Sequence, residues 1–157
     1  MSIKEIYANK KIALASEEVD FKSTKPISNK VQKTITFTGA LTTGLDIPFT
    51  FSYGIDSVDV FIGASTDTAD ADSALTAPAG SIPVQFRPTT PNWGNPIGVA
   101  DAAVGFEALG AINFQSDGSI TIHRAVPLVG GTTQLNREFT TGTPCGIRTS
   151  QCVQYCQ

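Results

Sequence analysis

The chain has 157 residues, of which 41% are hydrophobic and only 16% charged, the latter below the roughly 25% of ordinary soluble domains. That length allows one domain with a proper core and not two comfortable ones. The net charge of −3 hides a split: residues 1–33 hold all seven lysines against four acids, a net of +3, and residues 34–157 hold four arginines against ten acids, a net of −6. Sparse basic charge, interrupted by acids and ahead of an acidic body, argues against nucleic-acid binding.

The first segment, MSIKEIYANKKIALASEE, lacks the apolar core of a signal peptide, and no stretch reaches the ~18 apolar residues of a membrane helix. Synthesis in a cytoplasm without a signal peptide, and no membrane insertion, are therefore expected. Ile3, Ile6 and Tyr7 could share a helical face, but the stretch is short. Lys22–Lys30 (KSTKPISNK) reads as an extended linker because Pro26 forbids regular helix. Residues 1–33 are thus either a solvated leader or an attachment arm whose basic side chains (Lys4, Lys10, Lys11, Lys22, Lys25) meet an acidic partner.

From Thr34 the texture changes. Thr34–Thr38 (TITFT) alternates with a period of two, as a half-buried strand does. Ile47–Tyr53 (IPFTFSY) places Ile47, Phe49, Phe51 and Tyr53 on one face, and Pro48 predicts that this strand starts at a sheet edge. Ser57–Ile62 (SVDVFI) follows across a Gly54-Ile55-Asp56 turn, which suggests a hairpin. Residues 63–80 are small and polar and read as a long loop. Ser81–Arg87 (SIPVQFR) alternates again and predicts a strand, whereas residues 88–96 (PTTPNWGNP) read as loop. Ile97–Ala100 suggests a short strand, and 101–109 is ambiguous because Gly105 interrupts a helical pattern. Ala111–Gln115 and Ser119–Arg124 form a second hairpin around Ser116-Asp117-Gly118, where glycine supplies a positive φ. Val126–Val129 and Gln134–Phe139, separated by Gly130-Gly131, read as further strands. Many short strands with close turn signals predict an all-β, antiparallel β-sandwich, jelly-roll-like, over residues 34–144, with an extended N-terminal arm and a cysteine-containing tail over 145–157.

Catalytic chemistry is poorly provided for. His123 is the only histidine, so zinc catalysis through several histidines is excluded, and without a G-x-S-x-G elbow it reads as a solvated strand residue. No glycine loop precedes a helix to cradle phosphate. No catalytic residue, cofactor or metal is assigned. Asp67, Asp70 and Asp72 supply the hard oxygens that calcium takes, but without the glycine and closing glutamate of an EF-hand loop they read equally as an acidic surface loop. Trp93, flanked by Asn92 and Asn95, has the make-up of a sugar platform, in which a ring stacks on a pyranose while amides bond hydroxyls. The other reading is a core or interface tryptophan. Cys145, Cys152 and Cys156 match no zinc spacing, leaving free thiols, a local disulfide or a bridge between subunits.

SIPVQFRP (81–88), followed by GAINFQSDGSITI (110–122), resembles the head or receptor-binding β-sandwich domains of bacteriophage tail fibres and viral spikes. The resemblance covers about residues 34–125. It implies a homotrimer on the virion surface, fastened to other virion proteins by its N-terminal segment. It further implies a host-surface glycan or protein as receptor, and a subunit contact near Phe86, Arg87 and Pro88. The 145–157 segment has no counterpart in that family, and the arm is too short for a fibre shaft, which points to a spike cap or capsid decoration. The alternative is a non-viral carbohydrate-binding module using Trp93.

Overall fold

The structure, a computed structural model, describes residues 30–101, 108–127 and 133–157. These residues form eleven strands: β1 (Val31–Gly39), β2 (Leu45–Tyr53), β3 (Val58–Ile62), β4 (Ser65–Thr68), β5 (Leu75–Ala77), β6 (Asn92–Asp101), β7 (Ala108–Phe114), β8 (Ile120–Pro127), β9 (Thr133–Arg137), β10 (Pro144–Ile147) and β11 (Gln151–Tyr155). Their pairing is antiparallel throughout. The fold is all-β: one curled sheet in the order β11-β3-β2-β1-β5-β8-β7-β6-β10-β4, with β9 beside β8. Among the described residues no helix is long and apolar enough to cross a membrane.

Period-two alternation sets the core. Ile35 and Phe37 on β1, Ile47, Phe49 and Phe51 on β2, and Val58, Val60 and Ile62 on β3 are buried, while residues between them face outward. They share one cluster with Ile97 and Val99 of β6, Ile112 and Phe114 of β7, and Ile120 and Ile122 of β8. Phe37, Phe49, Phe51 and Phe86 run in a stacked row with ring centroids 5.8–5.9 Å apart.

Two contacts show how the sheet curls. Phe114 of β7 lies 4.6 Å, centroid to centroid, from Tyr155 of β11, although five strands separate β7 from β11 along the sheet. Between β11 and β6 a side chain replaces a backbone ladder. Gln151 Nε2 donates to the Gly98 carbonyl at 2.9 Å, and its Oε1 accepts from the Gly98 N–H at 2.8 Å. One primary amide thereby mimics a strand residue.

The predicted hairpins 47–62 and 111–124 form as antiparallel pairs. Several other elements differ from the sequence reading. Ser81–Arg87 is not a strand: Val84–Phe86 makes a single 3-10 turn, closed by the Phe86 N–H on the Pro83 carbonyl at 2.9 Å. Pro83 fixes φ at −56° and turns the chain inward, which inserts Phe86 into the core. The 63–80 loop contains two short strands: β4, which is polar and exposed and held by its pairing with β10, and β5, which buries Leu75 and Ala77 in the core. Residues 92–96 belong to β6, not to a loop. Pro48 lies within β2, an interior strand, but one position beyond the last β3 pair, Phe49 with Ile62. Val31–Lys33, assigned to the arm, begin β1, and residues 145–157, assigned to a tail, supply most of β10 and all of β11. The Gly130-Gly131 break lies outside the described residues.

Connectivity defines two poles. At one, which we call the arm pole, β1 begins beside the end of β2, since Val31 pairs with Phe51. The 3-10 turn, the 115–119 turn and the end of β11 gather there. At the other, the far pole, Ala40–Thr42, Ala69–Ser73 and Phe139–Thr143 are knitted together.

Candidate functional site

At the arm pole the 3-10 turn is gripped by three side chains. Tyr53 Oη donates to the Gln85 carbonyl, Tyr155 Oη to the Phe86 carbonyl, and Gln157 Nε2 to the Gln85 carbonyl, each at 2.6 Å. Burial raises the Tyr155 pKa well above the phenol range, aided by the neighbouring Tyr53, so this donor stays protonated. Arg87 donates through Nε to the Ile82 carbonyl at 3.1 Å and lies over Gly118. Gly118 has φ +85°, a conformation that favours glycine, and a Cβ there would displace Arg87, whose Nε would stand 2.7 Å from it. The Gly80 and Ile82 amides bond the Asp117 and Gly118 carbonyls at 3.0 and 2.9 Å. This docks the S-D-G turn on the 80–82 segment and brings together the two stretches that carried the family resemblance.

Phe86 and Pro88 are buried within the chain, and Arg87 is partly buried. Other apolar side chains at this pole are exposed. Ile55 is 98% exposed and Val84 73% exposed. Tyr53, its ring 4.7 Å from that of Phe86, is also exposed. The five lysines assigned to the arm (Lys4, Lys10, Lys11, Lys22, Lys25) lie outside the described residues. Lys33, at the root of the arm, donates to the Gly80 and Ser81 carbonyls at 3.2 and 2.8 Å. On the outer face of β1 and β2, a shallow groove of about 350 Å³ runs past Gln32, Thr34, Pro48, Thr50 and the exposed Phe61.

Trp93 is 65% exposed and sits on β6, which rules out the core reading. It rides a bulge, since the β6–β7 register shifts between Asn92 and Asn95. The asparagines build this bulge. Asn95 Nδ2 donates to Asn92 Oδ1 and to the Ile112 carbonyl, and the Gly94 N–H donates to Asn113 Oδ1 at 2.7 Å. Asn113 is a buried polar residue that the sequence reading did not single out.

At the far pole Asp70 and Asp72 tie loops together, while the Asp67 side chain on β4 bonds only its chain neighbour. Asp70 Oδ2 accepts from the Thr42 N–H, Asp72 Oδ1 accepts from the N–H and Oγ1 of Thr141, and Asp67 Oδ1 accepts from the Thr68 N–H, all at 2.7 Å. The Thr141 bonds hold the Asp72 carboxyl below its ordinary pKa. Among the described residues no group of acids, cysteines or histidines has the arrangement of a metal site. Beneath the loops lies an ion pair that no motif announced: Arg124 Nη1 stands 2.9 Å from Asp101 Oδ2, and the Asp101 side chain is fully buried. Cys145 is paired with Asp101 across the sheet. Burial, and then the charges of Asp67, Asp101 and Asp70, push its thiol up to about 11, which leaves it protonated and unreactive at neutral pH. All three cysteines are free; Cys152 and Cys156 are exposed. His123, half-buried on β8 opposite Ala111, has its pKa lowered by burial.

No protein-family profile matches the chain, and no characterised protein matches it significantly.

Proposed function

We propose that this chain is a virion structural protein. In this reading it is a homotrimeric all-β head, spike cap or capsid decoration at the particle surface, fastened to another virion protein through residues 1–33. The observation that carries the reading is a coincidence of position. The root of the lysine-rich arm at Val31 and the exposed apolar group Tyr53, Ile55 and Val84 share one pole. An exposed group of large apolar residues marks an interaction surface, and the low charge of the chain suits a domain that hides surface in an assembly. Subunit contact through Tyr53, Ile55 and Val84 would place three arms side by side, directed at one attachment point.

Light scattering coupled to size exclusion tests the assembly. The wild-type chain should elute as a trimer, and Ile55→Asp with Val84→Asp should convert it to monomers of unchanged circular dichroism. A wild-type monomer at micromolar concentration would refute the trimer. Removal of residues 1–29 tests the anchor separately: the shortened chain should still form trimers but fail to join particles.

A further inference from the structure

We propose that the Trp93 bulge is a binding platform for a neutral saccharide. The proposal goes beyond the structural-subunit reading and does not depend on it. The inference starts from the way the tryptophan is held. A large apolar ring left 65% exposed on a sheet gains nothing from the core. Yet its backbone is fixed by three amide side chains: Asn95 ties Asn92 to the Ile112 carbonyl, and Asn113, itself buried, takes the Gly94 N–H. Gly94 at φ +73° permits the turn of the bulge. The result is an indole whose mount is rigid before any ligand arrives, which lowers the entropy lost on binding.

The surroundings select the ligand. From Pro88 to Ala100 the sequence has no charged residue, and β7 beside it has none. His123 on the adjacent β8 is biased towards its neutral form by burial. The charged groups at this end of the sheet, Asp117 and Arg87, belong to the turn beyond Phe114 and are of opposite sign, so the strands that carry Trp93 present no charge of their own to a phosphate, a sulfated polymer or a basic peptide. They offer a flat aromatic face, with the partly exposed amides of Asn92 and Asn95 and the exposed hydroxyls of Thr89 and Thr90 nearby in sequence. An apolar plane bordered by uncharged donors and acceptors matches a hexose, which has one C–H-rich face and a rim of hydroxyls. Asn92 and Asn95 thereby act first as positioning residues for the ring, a narrower role than direct sugar ligands.

Trp93 is the only tryptophan in the chain, so its fluorescence reports on this site alone. The full-length protein would be titrated with lactose, cellohexaose and maltohexaose, with heparin and sialyl-lactose as charged comparisons. At least one neutral sugar should shift the emission saturably, and Trp93→Ala should weaken the binding measured by calorimetry by about tenfold or more. Asn113→Ala, whose fold is checked by its melting curve, should also weaken binding through the loosened bulge, and Trp93→Phe should retain part of it. The platform is refuted if none of the neutral sugars shifts the emission, or if only the charged ones do. It is equally refuted if acrylamide fails to quench Trp93 at working concentration but does so on dilution, because a second copy of the chain then covers the ring.

Discussion

The two poles are closed by different chemistry. The arm pole is sealed by aromatic rings and by phenol hydroxyls bound to backbone carbonyls: Phe86 sits in the core while Tyr53 and Tyr155 hold the turn that carries it. The far pole is sealed by carboxylates bound to loop amides and hydroxyls, above the buried pair of Asp101 and Arg124. The first arrangement is indifferent to pH over the physiological range, since Tyr155 stays protonated. The second depends on ionised groups. At the far pole acid therefore acts on the loop ties themselves, whereas at the arm pole it acts on the Asp117 turn and not on the tyrosine bonds that hold the 3-10 turn.

Four perturbations would sharpen or break this contrast. The largest is Phe86→Ala, which removes a fully buried ring at the arm pole. It should cost about 3–5 kcal/mol in urea unfolding and raise hydrogen exchange first over residues 82–88. Next is Arg124→Leu at the far pole, which leaves the buried Asp101 carboxylate without its guanidinium. A loss of about 3 kcal/mol is expected, and a loss below half of that would mean that the pair contributes little. Third, Tyr155→Phe keeps the ring against Phe114 but deletes the bond to the Phe86 carbonyl. About 1–2 kcal/mol should be lost, with exchange rising at the arm pole only.

The smallest effect is acid. The Asp72 pKa is lowered from 3.8 by its Thr141 bonds, so its contribution is fully present above pH 3.8 and disappears as pH falls through the lower folded value. Exchange of the Thr141 amide should rise in that window before the amides of β2 and β3 respond. Asp117 is lowered in the same way by Ser119, so the turn between β7 and β8 should loosen with it, and Asp72→Asn should abolish the far-pole response alone. Acid loosening of the 3-10 turn that Asp72→Asn also abolishes would show that the poles are not independent.

Sequence patterns revealed the strands that bury their own alternating faces. TITFT, IPFTFSY and SVDVFI became β1, β2 and β3 because a period of two is itself the physical cause of a half-buried strand. They did not reveal Ser65–Thr68, which has an exposed, polar pattern and exists because β10 pairs with it. SIPVQFR carries the alternation of a strand but turns, because Tyr53, Tyr155 and Gln157 take carbonyls that a strand would give to a neighbour. PTTPNWGNP has loop composition, yet its asparagine side chains supply what the ladder lacks at the bulge. At the candidate site, Trp93 was visible as a residue type, but Asn113, twenty positions away, was not. Nor could spacing alone bring Asp101 to Arg124, since sheet topology creates that contact.

The Gln151 clamp has a chemical consequence. Where a row of main-chain bonds joins two strands, no single reaction removes more than one of them. Here one primary amide supplies both the donor and the acceptor that join β11 to β6. Hydrolysis of that amide to a carboxylate releases ammonia, replaces the donor with an anionic oxygen facing the Gly98 carbonyl, and turns an attraction into a repulsion. Slow deamidation at this position would loosen the seam between β11 and β6 with no change to the polypeptide backbone, leaving the Phe114–Tyr155 contact to hold the two ends of the sheet together.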